Sequence, residues 1–253
     1  MHLIYSLFGE KPAFFEPVLD CACLFSKIPV TVLSTMPDDL EALRFQIEAV
    51  KNNNLRRMQA YSLLRWIVIY RIVKDWGRDC WPIFFADWDM LICDDLRPML
   101  KMTAAADLCV TKDANGHTSA PYAIQHLEFL RSFCDITLSM IQNSVPALAH
   151  LSDMELWQQV AQLCGWKVQS INVVGAEAFD HNLACWDNQF ELVPSDLDRA
   201  DTPYRKKIVY DHGKPHFVYQ NGTLVKATVI HFWNGFKPLI FEIASKLKAG
   251  SAP

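Results

Sequence analysis

Apolar residues recur along the chain in two alternating periods. His2 to Phe8 is a short apolar run that reads as a strand, closed by a loop at Gly9-Glu-Lys-Pro12. From Phe14 to Lys27 the apolar positions are Phe14, Phe15, Val18, Leu19, Ala22, Leu24 and Phe25, which is helical spacing. Ile28 to Ser34 is β-branched and reads as a second strand, with Pro29 near its start. Pro37 suits the first turn of a helix that opens near Leu40, and Asn52-Asn-Asn54 breaks it. A longer helix with mixed faces follows over Leu55 to Trp76, then a buried strand over Ile83 to Ala86. Strands alternating with helices of this length predict a parallel sheet.

The pattern continues with a helix over Leu96 to Lys101 and a strand over Asp107 to Lys112, turning at Asp113 to His117. Pro121 to Ile124 reads as a strand, Leu127 to Gln142 as a helix and Val145 to Leu151 as a connector. Ser152 with Glu155 three residues on is a capping box, and Cys164-Gly165 closes that helix. Val168 to Val174 reads as one strand. From Gly175 the chain turns polar and aromatic, with a hairpin at Asn221-Gly222, a last strand over Lys226 to Trp233, a terminal helix over Leu239 to Lys248 and a tail from Gly250. The expected fold class is α/β: a mostly parallel, twisted, Rossmann-type sheet flanked by helices, with a small C-terminal mixed β region.

The 253 residues suit one large domain, or a domain with an added lobe. Apolar residues make up 51%, enough for a sizeable core, and the net charge is −4. Phosphate binding along a nucleic acid needs a basic excess or stripe, so nucleic acid is excluded as a partner. Arg205-Lys206-Lys207 is the largest basic cluster and is short. The cysteines form no C-x-x-C pair and sit mostly in apolar runs, which argues against structural zinc and for a reducing compartment. No signal peptide and no transmembrane segment is expected, so the setting read from sequence is cytoplasmic, free or at a membrane surface.

Candidate chemistry begins at Phe84-Phe-Ala-Asp87-Trp-Asp89, where a core strand delivers a pair of acids. Strand-end carboxylates at i and i+2 suit a divalent ion bridging to a diphosphate, and equally a solvated turn. Trp88 between them is expected to face the core. A second feature is His231-Phe-Trp-Asn-Gly235-Phe-Lys237-Pro238, a strand-end imidazole followed by a lysine. The histidine reads as a metal ligand or as a satisfied structural residue. Asp153 and Glu155 read as a helix cap or as carboxylates aimed into a cleft. Arg56, Arg57 and Arg65 read as phosphate clamps or as an exposed face. No P-loop, dinucleotide-binding or nucleophile-elbow signature occurs.

Taken in order over roughly residues 1–240, these motifs resemble nucleotide-sugar glycosyltransferases of the GT-A type, in the manner of glycogenin and bacterial lipopolysaccharide glycosyltransferases. Asp153-Met154-Glu155-Leu156 is similar to that family's D-Q-D-I-L helix start, and His231 to Pro238 to its H-F-x-G-x-x-K-P ending. The resemblance implies a GT-A-like catalytic domain over 1–253, with a nucleotide-binding half at 1–110 and an acceptor-side half at 111–248. It implies Mn²⁺ or Mg²⁺ held by Asp87, Asp89 and His231. Asp89 is then the direct ligand, and Asp87 also faces the ribose or sugar. It places Arg57, Arg65, Gly235 and Lys237 at the donor, Asp180, His181 and Asn182 in the acceptor cleft, and Asp153 and Glu155 as catalytic carboxylates. The implied activity is hexosyl transfer from a nucleotide-diphosphate sugar, UDP-sugar favoured over GDP-sugar, to a hydroxyl of a glycan or other acceptor, with retention. Met154 replaces the family's glutamine, and Gly235 lies one residue farther from His231 than in the commonest form of the motif. The alternatives are a catalytically inert GT-A-like module that binds a nucleotide sugar or glycan, and a metal-dependent phosphoryl or nucleotidyl transferase.

Overall fold

The protein is described by a computed structural model covering residues 1–50, 56–112, 116–143, 151–180, 182–184, 189–195 and 204–250. The expected break at Asn52 to Asn54, most of the Asp113 to His117 turn, most of the Val145 to Leu151 connector and the last residues of the tail lie outside these. In chain order the first elements are β1 (His2–Ser6), α1 (Phe15–Phe25), β2 (Val30–Leu33), α2 (Asp38–Val50), α3 (Arg56–Val73), β3 (Ile83–Asp87) and β4 (Met90–Ile92). The middle follows with α4 (Arg97–Met102), β5 (Leu108–Lys112), β6 (Thr118–Ile124), α5 (Leu127–Gln142), α6 (Asp153–Leu163) and β7 (Val168–Ser170). The last part holds β8 (Val173–Val174), β9 (Glu177–Phe179), β10 (Leu192–Pro194), β11 (Tyr204–Lys206), β12 (Ile208–Asp211), β13 (Lys214–Val218), β14 (Leu224–His231) and α7 (Leu239–Gly250).

The main sheet is six-stranded, in the order β2-β1-β3-β6-β5-β7. All its pairings are parallel except those made by β6, which runs antiparallel to both β3 and β5. Central strands covered on both faces read as unbroken apolar runs, which is why Ile83 to Ala86 carries no polar residue. A second, mixed sheet contains β12-β13-β14-β9-β8, with β4 paired to β14. The expected α/β class with a C-terminal mixed β region therefore holds.

The expected single strand over Val168 to Val174 is instead two strands in different sheets. Asn172 explains the break. Its side chain takes the Lys112 backbone N–H at 2.8 Å and donates to the Lys112 carbonyl at 2.7 Å. That pair of bonds caps the end of β5 and turns the chain away from its edge. At the other end, Gly250 is not part of a frayed tail but the last residue of α7. Its backbone meets that of Gly213 so closely that a Cβ on either would fall within 3.0 Å of the other's Cα.

The core gathers around Trp66 on α3, which is fully buried. Its ring centroid lies 4.6 Å from Phe85, 5.3 Å from Tyr122, 6.0 Å from Phe133 and 5.1 Å from Trp157. One side chain thus joins α3 to β3, β6, α5 and α6. This explains the mixed faces of α3: a helix wedged between sheet and helices buries most of its circumference. Trp66→Ala should cost about 3–5 kcal/mol of stability in urea unfolding, the range for large aromatic truncations in a core. A cost under about 1 kcal/mol would contradict this packing.

Candidate active site

Two pairings assemble the site. Parallel pairing of β1 with β3 sets Asp87 opposite Ser6, at the carboxyl end of the sheet. Antiparallel pairing of β14 with β4 sets His231 opposite Met90, and the Phe232 N–H donates to the Asp89 carbonyl at 3.0 Å. Residues far apart in sequence thereby share one strand end. Asp89 is buried, and its carboxylate oxygens lie 3.3 Å from His231 Nε2 and 3.1 Å from Lys237 Nζ.

Burial alone would raise the Asp89 carboxyl, but the His231 and Lys237 charges outweigh it and hold it below its ordinary value. Burial alone would lower the His231 imidazole. Asp89, helped by Asp87 and Asp180, outweighs that and pushes it up to about 9. Lys237 returns to Asp89 across a 3₁₀ turn over Asn234–Phe236, which contains Gly235; the glycine is shifted by one within the motif, but the six-residue step from His231 to Lys237 is the same. Its ammonium also lies 4.2 Å from the Trp88 ring centroid and 5.7 Å from that of Phe14. Trp88 is therefore not simply core. It is half-buried, stacked on Phe14 at 5.2 Å, and forms the seat of the lysine.

Arg65 ties the second group together. Its guanidinium reaches Asp87 Oδ1 at 2.5 Å and Asp153 Oδ2 at 2.6 Å. Trp66 Nε1 donates to the same Asp153 oxygen at 3.0 Å. Burial would weaken the charge on Arg65, but Asp153 and Asp87 raise its pKa above the ordinary value. Arg57 lies about two turns away on α3, exposed, with its guanidinium 5.8 Å from the Tyr61 ring.

Glu155 completes the capping box: its Oε2 takes the Ser152 N–H at 2.7 Å, and Ser152 Oγ takes the Glu155 N–H at 3.3 Å. Its carboxylate is thus turned back on the helix end. Met154, exposed, follows Asp153. Asp180 is buried with Lys206 Nζ at 2.5 Å, and its other oxygen takes the His231 N–H at 3.4 Å. The Asn182 N–H donates to Asp180 at 3.2 Å. His181 lies outside the described residues.

The structure brings Asp87, Asp89, Arg65, Asp153, Asp180, His231 and Lys237 together, and leaves Arg57 and Glu155 at the margin. Sequence reasoning missed Lys206 and the indole of Trp66. Lys206 sits in the basic cluster 205–207, and alternation on a strand was the signal that one of its members points inward.

The donor set fits a divalent cation. Asp89 and Asp87 supply hard oxygens and His231 a borderline nitrogen, a combination suited to Mn²⁺ or Mg²⁺. Among the described residues no three such groups converge on one point, because Asp87 is turned to Arg65. Removing Arg65 should leave two acids without their cation. Arg65→Met is expected to cost about 3–5 kcal/mol, and adding Asp87→Asn and Asp153→Asn should recover part of it. Additive losses in that chemical-denaturation cycle would contradict the shared pair.

No family model and no curated protein matches the chain. Solved structures do. An active-site mutant of LgtC is 13% identical, with 100% of this chain and 98% of that chain covered and a TM-score of 0.50. GlyE, a glycosyltransferase of Streptococcus pneumoniae TIGR4, is 9% identical at a TM-score of 0.49. The match covers 98% of this chain, which spans 62% of GlyE. Mouse xyloside xylosyltransferase 1 is 10% identical, with 73% and 88% covered and a TM-score of 0.46. The likeness to LgtC runs the whole length of both chains, and it is a likeness of fold: this protein has a GT-A-type glycosyltransferase fold.

Proposed function

We propose that the protein is a metal-dependent glycosyltransferase. It moves a sugar from a nucleotide-diphosphate donor, a UDP-sugar ahead of a GDP-sugar, to a hydroxyl of a glycan. The observation that carries this reading is the meeting of Asp89, His231 and Lys237 at the carboxyl end of the sheet. In such sheets ligands bind outside that end.

Asp89 and His231, joined by Asp87, would hold Mn²⁺ or Mg²⁺. A bound dication supplies a Lewis acid for the departing diphosphate. Lys237 sets a second positive charge beside the same oxygens, where negative charge builds as the glycosidic bond breaks. Trp88 and Phe14 keep that ammonium in place. On the sugar side, Arg65 fixes the positions of the Asp87 and Asp153 side chains, whose negative charge would favour an oxocarbenium-like anomeric carbon.

An inverting enzyme needs a base aligned on the acceptor hydroxyl. Asp153 is committed to Arg65 and Trp66, and Glu155 to the helix cap. This commitment supports retention. We read residues 1–110 as the half that binds the nucleotide and 111–248 as the half that receives the acceptor. Among the described residues no helix is long and apolar enough to cross a membrane. The free buried thiols Cys21, Cys93, Cys109 and Cys134 support a reducing, cytoplasmic setting.

A panel of UDP- and GDP-sugars, assayed for nucleoside diphosphate release with and without Mn²⁺, tests the function. Metal-dependent release from at least one donor is expected; no release and no donor binding would refute the reading. For the active donor, Asp89→Asn and Lys237→Met should each lower turnover by about 10²–10³-fold, the size of effect when a preorganised charge-stabilising group is removed. Unchanged turnover and Mn²⁺ dependence in Asp89→Asn would remove the metal assignment. NMR of the product anomer should show retention, and an inverted product would overturn that part.

A further inference from the structure

A cavity opens beside α6, apart from the Asp89 centre. It has a volume of about 160 Å³ and is lined by Lys112, Thr118, Gln158, Gln162 and Trp166 over a floor of Leu108 and Val168. Leu108 and Val168 are register partners, so the floor is the β5–β7 edge of the main sheet.

Its wall is built rigidly. The α6 helix ends at Leu163 with Cys164 as its C-cap, and Gly165 takes a left-handed turn with φ +67°. That turn sends Trp166 back over the helix, where its N–H donates to the Ala161 carbonyl at 2.9 Å. The indole packs edge-on against Phe129 at 4.9 Å and near Trp157 at 6.0 Å. Gln158 and Gln162, four residues apart, share one face of α6. Trp166, Gln158 and Lys112 are half-buried and Gln162 is exposed. Among the described residues no hydrogen bond or ion pair engages the Gln158 amide, the Gln162 amide or the Lys112 ammonium.

We propose that this groove binds one pyranose unit of a glycan. A fixed indole offers an electron-rich face to the C–H face of a sugar ring. Primary amides, each both donor and acceptor, together with an ammonium donor, match hydroxyls. The volume holds far more than a water, at ~30 Å³ each, yet is below the ~300 Å³ where drug-sized pockets begin. It suits a single ring rather than a nucleotide. The groove also adjoins the site, because Thr118 Oγ1, on its wall, donates to the Met154 carbonyl at 2.5 Å. Gln158 and Gln162 lie about 7.5 and 13.5 Å along the helix from Asp153. A glycan accepting sugar near Asp153 would therefore lay a later unit against Trp166. That this glycan is the acceptor rests on the transferase reading; its binding does not.

The test uses an array of mono- to hexasaccharides, neutral and acidic, followed by calorimetry on the best oligosaccharide. The proteins compared are the intact chain, Trp166→Ala, Gln158→Ala/Gln162→Ala and Asp89→Asn. Expected is a glycan bound alike by the intact chain and Asp89→Asn, and at least tenfold more weakly by both groove variants. Where Trp166→Ala loses its native circular dichroism, the double glutamine variant decides. Binding that is lost in Asp89→Asn but untouched in the groove variants overturns the proposal, as does an intact chain that binds no saccharide at millimolar concentration. Donor turnover by the intact chain, measured separately, reports on the transferase reading alone.

Discussion

Asp87, Asp89, Asp153 and Asp180 crowd the carboxyl end of the sheet, and folding requires each to find a cation. Arg65 serves Asp87 and Asp153, His231 and Lys237 serve Asp89, and Lys206 serves Asp180. With His231 protonated, four negative charges meet four positive ones. This balance decides which elements must meet. Arg65 draws α3 to the tip of β3 and the start of α6. His231 brings β14 beside β4. Lys206 fastens β11 to the chain that follows β9. Were His231 to ligate a dication, its proton would have to leave, since only a neutral imidazole binds a metal.

These pairs are poor candidates for the source of stability. Removing charges from water costs several kcal/mol per ion, and a buried pair seldom returns more than that. Stability comes from the apolar framework, above all the rings around Trp66. The two systems meet in one residue: the Trp66 ring is core, while its indole N–H holds Asp153. Neighbouring Arg65 places its guanidinium 4.6 Å from the Phe85 ring. The core thus sets the position of the charges, and the charges oblige α3 and α6 to end where they do.

Much of this was legible in the sequence because it rests on short-range pattern. An apolar strand ending in acids and a β-branched strand ending in histidine have periods that can be read directly. So does the Ser152–Glu155 box, whose structural reading is the one the geometry bears out. The remainder depends on long-range geometry. Lys206 sits on a three-residue strand, too short for alternation to establish which residue of the cluster 205–207 turns inward. Alternation places Trp88 in the core, but a tight turn at Trp88-Asp89 breaks the period and leaves the ring under Lys237. The division of Val168 to Val174 between two sheets turns on one amide, Asn172, whose partner lies on β5. Apolar periodicity carries no trace of such a bond.

The α6 helix links these features. Its first residue, Asp153, belongs to the charged site, its second and third turns present Gln158 and Gln162 to the cavity, and its C-terminal turn aims Trp166. A capped helix of 11 residues, packed through Trp157 and Leu156, is stiff over that length. The separation between the Arg65-bound carboxylate and the indole is then set by helical rise and by the Gly165 turn, which the Trp166 backbone N–H closes onto the Ala161 carbonyl at 2.9 Å. A chain that rests on Trp166 meets Asp153 at a fixed distance. Glu155 bears on this geometry only through the helix end. By satisfying the first turn it holds the helix start, and with it Asp153, in one place relative to Arg65.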